Sequence, residues 1–426
     1  MPDTGLLPAT ALRPTAIAGR VVVIGLGYVG RPLAEAAAAA GFDVTGFDRD
    51  AGAAEAAARG WKDLPQAAGA LAATPDPDAL PPAGTWLICV PTPLDATGQP
   101  DLSAVVAALE TCQARLAPGA LVCLVSTCQP GATNGLCRPV LERGGLRVGQ
   151  DVFLAVSPER ENPGAPDGGP RRVPRLLGAP DPRSLERAFV FWSRIVDSVV
   201  PVASPEVAEC AKLLENTYRL VNIALMDELH RAFTALGVPT REVVAAAATK
   251  PFGFAPFWPG LGAGGHCIPV DPAYLQMEAC RAGAASSLVA AALAANEARP
   301  RRVVDAVAAT MGGCLAGRRV LVLGVTYKPG VADLRGAAPL ALLHGLAGRG
   351  ATACWHDPVI GPRAPGLAAF PRAASPRECP GGAPEAIILG TPQPGFDLGG
   401  LAGLAPLVFD PFGLVPRDAA GRVRVV

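Results

Sequence analysis

The sequence lacks two features that would assign it to a class at once: an excess of charge of one sign and a long apolar run. Lys plus Arg and Asp plus Glu each number 37 of 426 residues, so the formal net charge is zero and no overall field attracts nucleic acid or an anionic membrane. Anions must therefore be bound by local groups. We expect no nucleic-acid partner and no membrane association, and we assign no metal site.

The chain also lacks paired cysteines and a secretion signal. Its eleven cysteines occur singly, without a Cys-x-x-Cys pair or the density of small secreted domains, which favours a reducing compartment. The first twenty residues show no charged start followed by an apolar core, and no segment has the roughly 18 consecutive apolar residues of a membrane helix. We therefore expect a cytoplasmic protein, and 426 residues allow two or three domains.

What the sequence does contain is a glycine-rich loop around one thiol, PGLGAGGHCIPVDP, at residues 259–272. Four of its glycines fall within six positions, and each costs about 1 kcal/mol relative to alanine in a helix, so we predict a loop whose backbone approaches something closely. His266 and Asp271 lie beside Cys267 as a candidate thiolate partner and a candidate base, which indicates a cysteine nucleophile. A buried, unreactive cysteine is the alternative.

Near the start of the chain, residues 20–48 follow the order strand, glycine turn, helix and strand that is typical of a dinucleotide-binding unit. Gly25 permits the tight turn, Gly27 lets the backbone reach a pyrophosphate, and Gly30 allows close packing of helix on strand. Asp48, 18 residues after Gly30, would accept hydrogen bonds from the ribose of NAD and repel the phosphate of NADP, although Arg49 leaves NADP open. An ordinary strand-to-helix turn is the alternative.

Three further strand-like runs end in polar residues, at Thr92, Thr127 and Glu159. Because ligands of open parallel sheets lie beyond the strand carboxyl ends, we expect these side chains to converge on one crevice. Helix capping is the alternative for the two threonines.

A long apolar-periodic helix is predicted from Pro205, and on it Lys212 and Asn216 share one face. The ammonium and the amide could stabilise a developing negative charge, whereas a solvated helix face is the bland alternative. The length of this helix indicates a spine and a dimer surface.

A second strand, turn, helix and strand unit begins at Val320 and ends near Asp357, with a poorer glycine set. Its turn offers Lys328 and Arg335 to phosphate, although either one taken alone is more often a solvated surface charge. We therefore predict an α/β protein with two Rossmann-like doubly wound domains joined by a helical spine. The expected boundaries are 1–203 for the NAD-binding domain, 204–300 for the central helical dimerisation and catalytic-loop region, and 301–426 for the second Rossmann-like domain.

Taken in chain order, these motifs resemble those of a nucleotide-sugar 6-dehydrogenase of the UDP-glucose and GDP-mannose dehydrogenase family. The resemblance runs from about Val21 to about Asp410 and rests on GLGYVG, VPTP, STCQPG, SPERENPG, AKLLENTYR, GGHCIPVDP and GVTYKPGVADLR. It implies NAD as cofactor, a UDP-sugar as substrate, and a homodimer or higher homo-oligomer. The implied reaction oxidises a sugar C6 alcohol to a carboxylate with two NAD+, through a thiohemiacetal and a thioester on Cys267.

The resemblance also implies residue roles: Lys212 and Asn216 stabilise oxyanions. Asp271 and Thr127 position or activate water, and Glu159 assists proton transfer or binds substrate. The implied catalytic residues are Cys267, Lys212, Asn216, Asp271, Thr127 and Glu159. The implied cofactor-binding residues are Gly25, Gly27, Tyr28, Val29, Gly30, Asp48, Arg49, Thr92, Thr127 and Arg335. The implied substrate-binding residues are Glu159, Arg160, Lys212, Asn216, Lys250, Gly264, Tyr327 and, for the UDP moiety, Lys328.

Two positions depart from the family pattern. Pro163 stands where UDP-glucose members carry a second glutamate, and together with KPFGFAPFWPG it resembles the branch that acts on UDP-N-acetylhexosamines. We therefore favour UDP-N-acetylglucosamine, then UDP-N-acetylmannosamine, with UDP-glucose as a further alternative. Phe412 stands where the family often has an arginine, so one substrate contact is missing or comes from elsewhere.

Two other classes remain open from the sequence. A two-electron dehydrogenase of the hydroxyacid or 6-phosphogluconate kind would share the dinucleotide domain and the helical spine but has no use for the cysteine loop. A nucleotide-binding sensor would bind NAD and UDP-sugar without turnover.

The covalent mechanism generates a direct prediction. Cys267→Ser should abolish acid formation while NAD and UDP-sugar binding persist, because only the second oxidation needs the thiolate. Product analysis and ligand titration would check this, and normal acid production by the variant would contradict the mechanism.

Overall fold

A computed structural model describes residues 19–64, 68–160, 170–266 and 268–426. Two positions discussed above, Cys267 and Pro163, lie outside these ranges. The chain divides into two compact units, Met1–Glu215 and Asn216–Val426, so the division falls inside one long helix. The three-part division at residues 203 and 300 stays a prediction.

The first unit is built on a parallel sheet, as predicted. Its described residues form six strands in the order β3-β2-β1-β4-β5-β6. They are β1 (Arg20–Ile24), β2 (Asp43–Phe47), β3 (Leu71–Thr74), β4 (Thr85–Ile88), β5 (Leu121–Leu124) and β6 (Phe153–Val156). β4 and β5 are buried at every position, because helices cover both faces of the sheet. Since all six strands run parallel, their carboxyl ends share one edge.

Helices and a small second sheet complete the first unit. The elements are α1 (Gly30–Ala39), α2 (Ala51–Lys62), α3 (Ser103–Gln113), α4 (Arg138–Glu142), β7 (Arg175–Leu177), α5 (Pro182–Ile195) and β8 (Val199–Pro201). α1 packs through Leu33, Ala34 and Ala37, whose spacing forms one apolar stripe and whose small size brings the helix close to the sheet. The paired strands β7 and β8 were not anticipated, because three-residue strands carry almost no periodic signal.

The predicted long helix is α6 (Pro205–Ala235), 31 residues in length. It is followed by α7 (Thr240–Ala247), α8 (Asp271–Arg281) and α9 (Ser287–Thr310). None of the helices in the described part of the chain combines the length and the apolar composition that a bilayer crossing requires.

A second parallel sheet organises the rest of the second unit, which confirms the predicted α/β class. Its described strands are ordered β10-β9-β11-β12-β13. The elements are β9 (Arg319–Leu323), α10 (Ala338–Gly348), β10 (Thr352–His356), β11 (Ala386–Leu389), β12 (Leu407–Asp410) and β13 (Val423–Val425).

The turn after the first strand has the same backbone geometry in both units. In the first unit, Gly25 (φ +94°) donates from its N–H to the carbonyl of Phe47 at 2.8 Å. In the second, Gly324 (φ +82°) donates to the carbonyl of His356, also at 2.8 Å. A Cβ on Gly324 would lie 1.9 Å from the Thr391 carbonyl oxygen, so only glycine fits. The two units therefore repeat one supersecondary design, as the sequence predicted.

Cysteine pairing differs from expectation at one place. Cys354 of β10 and Cys379 are joined by a disulfide with a Cα–Cα distance of 6.3 Å. Because 25 residues separate them, sequence spacing gave no sign of the pair. Among the other described cysteines, all free, Cys210, Cys280 and Cys314 are exposed.

Candidate active site

The glycine turn of the first unit has the shape that a dinucleotide requires. A Cβ on Gly30 would lie 1.8 Å from the Gly25 carbonyl oxygen, so α1 begins against the turn itself. At Gly27, by contrast, a Cβ would meet nothing within 4 Å, which leaves open space beside that backbone. Tyr28 is 48% exposed and Val29 precedes the first turn of α1. This open backbone comes just before the start of α1, and the N-terminus of a helix stabilises an anion.

Asp48 lies directly behind this turn. Its Oδ2 accepts from the N–H of Leu26 at 2.9 Å, and its Oδ1 accepts from the N–H of Asp50 at 3.0 Å. The carboxylate is only partly buried, whereas Arg49 beside it is exposed. Each carboxylate oxygen can accept a further bond, so the ribose role predicted for Asp48 fits the geometry. These residues fit NAD.

Two loops at the carboxyl edge are tied together by the predicted threonines. The Thr92 hydroxyl, beyond β4, donates to the carbonyl of Thr127, beyond β5, at 2.8 Å. Thr92 is 7% exposed, and α3 starts only at Ser103, so Thr92 does not cap that helix. The loops that carry the two threonines are therefore in contact, and the convergence of Thr92, Thr127 and Glu159 on one crevice stays a prediction.

A buried carboxylate that was not predicted from the sequence holds the loop that contains Thr127. Glu209 of α6 is 1% exposed and accepts from the N–H of Gly131 at 2.6 Å. It also accepts from the N–H of Thr133 at 2.9 Å and from the Thr133 hydroxyl at 2.6 Å. Burial raises the pKa of Glu209, although these hydrogen bonds oppose that shift. In the sequence, Glu209 is only a carboxylate one helical turn before Lys212. Its contact with the Thr127 loop could be predicted only if the position of that loop were known.

Glu159 is held by a second missed residue, Arg175 of β7. The Arg175 guanidinium is 3% exposed, lies 3.3 Å from Glu159 Oε2 and bonds to Ser157 at 3.0 and 3.1 Å. It also lies 4.3 Å from the centroid of the Trp192 ring, which favours a planar cation. Arg175 therefore fixes the carboxylate that follows β6.

Arg160, predicted to bind substrate, is engaged within the first unit. Its guanidinium contacts Glu215 Oε1 at 2.7 Å and donates to the carbonyl of Pro174 at 2.7 Å. Glu215 lies on α6, one turn after Lys212. An anionic ligand would have to compete with Glu215 for this guanidinium.

Lys212 and Asn216 are both buried on α6, at 7% and 8% exposure, so the solvated-face alternative is wrong. The Asn216 amide donates to Asp271 Oδ2 at 2.6 Å, and Asp271 is 4% exposed. Asp271 begins α8, four residues after Cys267. The structure thus brings together the predicted amide and the predicted base.

The glycine loop of the second unit lies against the turn that follows β9. A Cβ on Gly264 would lie 2.8 Å from the Gly336 carbonyl oxygen, and one on Gly265 (φ +89°) would lie 3.0 Å from the Tyr327 ring. The close approach predicted for this loop is therefore made to protein backbone and to Tyr327. Both contacts require glycine.

His266 lies near a bidentate ion pair. Arg335 contacts Asp333 Oδ2 at 2.7 Å, and the Arg335 side chain is half exposed. Burial, followed by the charge of Arg335, lowers the pKa of His266, so the imidazole is neutral at pH 7. His266 precedes Cys267 in the sequence, and its role as the thiolate partner stays a prediction. Asp333 was not anticipated as the partner of Arg335.

Two further predicted cations differ in setting. Burial, and then the like charge of Arg219, lowers the pKa of Lys328, which indicates two positive groups gathered at one place. A phosphate would relieve that repulsion. Lys250 is exposed, with its ammonium 4.9 Å from the centroid of the Phe252 ring. The structure therefore places Lys328 near a second cation, whereas Lys250 lies at the surface.

The fold and the glycine turn are those of a dinucleotide-binding protein. Three family models match in order: the UDP-glucose/GDP-mannose dehydrogenase family NAD binding domain at residues 19–196, its central domain at 206–298 and its UDP binding domain at 321–415.

Individual relatives agree with these matches. A UDP-N-acetyl-D-glucosamine 6-dehydrogenase from Pseudomonas aeruginosa is 36% identical over 340 residues, which cover 77% of this chain and 80% of the relative. A UDP-N-acetyl-D-mannosamine dehydrogenase from Salmonella typhi is 31% identical over 354 residues, covering 77% and 82%. The solved UDP-D-ManNAc dehydrogenase of Pyrococcus horikoshii is 27% identical with a TM-score of 0.83, covering 95% and 98%.

The chain belongs to the UDP-glucose/GDP-mannose dehydrogenase family. It is an NAD-dependent UDP-sugar dehydrogenase, which confirms the enzyme class and the cofactor that the sequence implied.

Two glycines of the NAD turn provide a matched pair for testing the site. Gly30→Ala should destabilise the first unit by about 1–3 kcal/mol, because its Cβ would overlap the Gly25 carbonyl. Gly27→Ala should fold normally but bind NAD more weakly, because its methyl would enter the space beside the turn. Thermal unfolding and NAD titration of both variants would check this; normal NAD affinity in Gly27→Ala would contradict the assignment.

Glu209→Gln should destabilise the first unit by about 1–3 kcal/mol and lower turnover, because an amide cannot accept from all three donors of the Thr127 loop. Since burial raises the pKa of Glu209, the folded protein keeps that proton to a higher pH than the unfolded chain. The stability that Glu209 contributes should therefore fall as pH rises from the ordinary value of 4.5 through the folded-state pKa, and then level off. Denaturant unfolding between pH 4 and 8 would measure the loss of stability and its dependence on pH.

Glu206→Gln is the matched control, because Glu206 lies on the same helix, is only partly buried, and accepts from the Asn134 amide at 2.8 Å, which a glutamine oxygen can also do. Equal stability of the Glu209→Gln and control proteins would show that the buried carboxylate does not hold the loop.

Proposed function

We propose that this protein is a UDP-N-acetylglucosamine 6-dehydrogenase that forms the uronic acid in two successive oxidations on Cys267. The observation that carries the proposal is the buried hydrogen bond from the Asn216 amide to Asp271 Oδ2 at 2.6 Å. Asp271 is four residues after Cys267 in the sequence. A buried amide held by a carboxylate suits a site that handles an oxyanion and a water in turn.

NAD, when bound, accepts a hydride from C6 in each oxidation. In the first, Glu159 or a water held near it takes the hydroxyl proton, and Arg175 keeps that carboxylate in place. The thiolate of Cys267 then adds to the aldehyde carbon, and Lys212 and Asn216 stabilise the oxyanion of the thiohemiacetal. After the second hydride leaves, a thioester remains. Asp271 and Thr127 position the water that releases the acid and restores the thiolate.

Substrate recognition is assigned to the second unit and to the end of β6. Lys328, beside Arg219, would bind the diphosphate, and Tyr327 with Gly264 would line the sugar site. Arg160 and Lys250 would reach the outer part of the substrate, and Arg335 would contact NAD. The names of the Pseudomonas aeruginosa and Salmonella typhi relatives support an N-acetylhexosamine as the sugar.

UDP-N-acetylmannosamine is the second candidate, since the Pyrococcus horikoshii structure with a TM-score of 0.83 carries that name. The two sugars differ only at C2, where pocket shape decides.

We further propose that the enzyme is cytoplasmic and works as a homodimer or higher homo-oligomer, with the three domains bounded at 203 and 300. Apolar side chains stay exposed along one stripe of α6: Val207 at 45%, Leu214 at 62%, Tyr218 at 52% and Leu225 at 48%. Such a stripe is suited to a second copy of the same helix.

The stoichiometry of NADH tests the proposed reaction. We expect two NADH for each UDP-N-acetylglucosamine consumed, with a higher kcat/KM than for UDP-N-acetylmannosamine or UDP-glucose. One NADH per sugar would favour a two-electron dehydrogenase, and none with any sugar would favour a nucleotide-binding sensor. A preference for UDP-N-acetylmannosamine would keep the mechanism and correct the substrate.

A further inference from the structure

We propose that Asn296 and Arg299 of α9, together with Asp227 of α6, form a clamp that fixes the glycine loop preceding Cys267 and thereby positions the thiol for the second oxidation. The inference rests on the proposed function, because it assigns the clamp to one of the two oxidation steps. The three residues are positioning residues, since they contact the loop and not the reacting atoms.

Asn296 engages both backbone groups of one loop residue. Its Oδ1 accepts from the N–H of Ala263 at 2.6 Å, and its Nδ2 donates to the carbonyl of Ala263 at 3.1 Å. A single planar amide that satisfies both groups holds that residue in one orientation. The preceding residue, Gly262 (φ +95°), would place a Cβ 2.7 Å from Asn296 Oδ1, so the loop cannot approach the amide with any other residue there.

Arg299 lies one helical turn further along the same face and engages the start of the loop. Its Nε donates to the carbonyl of Gly260 at 3.0 Å, and its second nitrogen donates to the Val426 oxygen at 2.8 Å. Asp227 Oδ1 lies 3.8 Å from Arg299 Nε and accepts from the N–H of Gly260 at 3.4 Å. Both backbone groups of Gly260 are therefore held by an ion pair, as both groups of Ala263 are held by an amide.

The setting of this ion pair favours positioning over stabilisation. Asp227 and Arg299 are each 2% exposed, and Asp227 Oδ2 has no hydrogen-bond partner among the described residues. Burial raises the pKa of Asp227 to about 6 despite the charge of Arg299, and Arg302 adds a smaller opposing effect. A buried pair of this kind contributes little net stability relative to an apolar pair, so its retention is better explained by the conformation it imposes.

The opposite side of the loop is held as firmly. Gly264 and Gly265 pack on the Gly336 carbonyl and the Tyr327 ring, so the loop lies between α9 and the turn after β9. The segment that leads into Cys267 consequently has fixed contacts on both sides, and loss of those on α9 would free it on one side only.

The test uses Asn296→Ala and Arg299→Met, with Glu297→Gln as control because Glu297 is exposed on the same helix. In the clamp variants we expect acid formation to fall about 100-fold, the cost of misplacing a reacting group by roughly 1 Å. The first hydride transfer, measured in a single turnover, should change by only a few fold. The ratio of NADH to sugar should therefore fall from two towards one, with the aldehyde trapped by hydroxylamine as product.

A second readout follows the thiol directly. The rate of iodoacetamide alkylation at Cys267 should change at least several fold in the clamp variants and not in the control. It is read from the Cys267 peptide by mass spectrometry, because the exposed thiols of Cys210, Cys280 and Cys314 would react as well. Asn296→Asp keeps an acceptor for the Ala263 N–H, so it should retain more of the second oxidation than Asn296→Ala, and it serves if the alanine variant does not fold.

Two outcomes would overturn the inference: a ratio of two NADH with unchanged alkylation in the clamp variants, or an equal loss of both oxidations accompanied only by a lower unfolding temperature. Measurements on the wild type and on Cys267→Ser distinguish failure of the clamp inference from failure of the proposed function. If the wild type itself yields one NADH, the proposed function is wrong, and unchanged alkylation at Cys267 would then reject the clamp on its own.

Discussion

Carboxylates that accept hydrogen bonds from loop backbone determine the geometry on which the rest of this enzyme depends. Glu209 holds the loop beyond β5, Asp48 holds the NAD turn, and Asp227 holds the start of the cysteine loop. Glu209 and Asp227 lie at buried positions that water hardly reaches. All three carboxylates are compensated by backbone N–H groups, and Asp227 also by a guanidinium. The reactive loops are therefore shaped by acceptors on α6 and at strand ends, while the glycines remove the side chains that would prevent the approach.

The same turn geometry occurs in both units, but the carboxylate that accepts from it has a different setting in each. In the second unit the N–H of Val325 donates to Asp357 Oδ2 at 2.8 Å, as Leu26 does to Asp48 in the first. Asp357, however, is fully buried and also accepts from the Gln393 amide at 2.9 Å. With its carboxylate enclosed, the second turn cannot offer a ribose acceptor at the surface. This fits the match of that region to a UDP binding domain rather than to a second NAD binding domain.

Much of the fold was predictable because it depends on patterns among residues that are close together in the sequence. The GLGYVG turn, the strands that precede Thr92, Thr127 and Glu159, and the start of α6 at Pro205 each follow from periodicity or turn chemistry within about 30 residues. The order of the motifs along the chain was sufficient to identify the family. Short strands such as β7 and β8 escaped prediction because three residues cannot establish a period.

The sequence by itself determined the fold class, the NAD turn and the reactive cysteine as a candidate, since each depends on residues that are neighbours along the chain. Only the tertiary structure decided which side chains hold them. Arg299 contacts a loop residue 39 positions away, Asn296 one that is 33 away, and Glu209 one that is 76 away. Such bonds leave no local signal, because a side chain's partner across the fold depends on how helices and sheets pack and not on its neighbours in the chain.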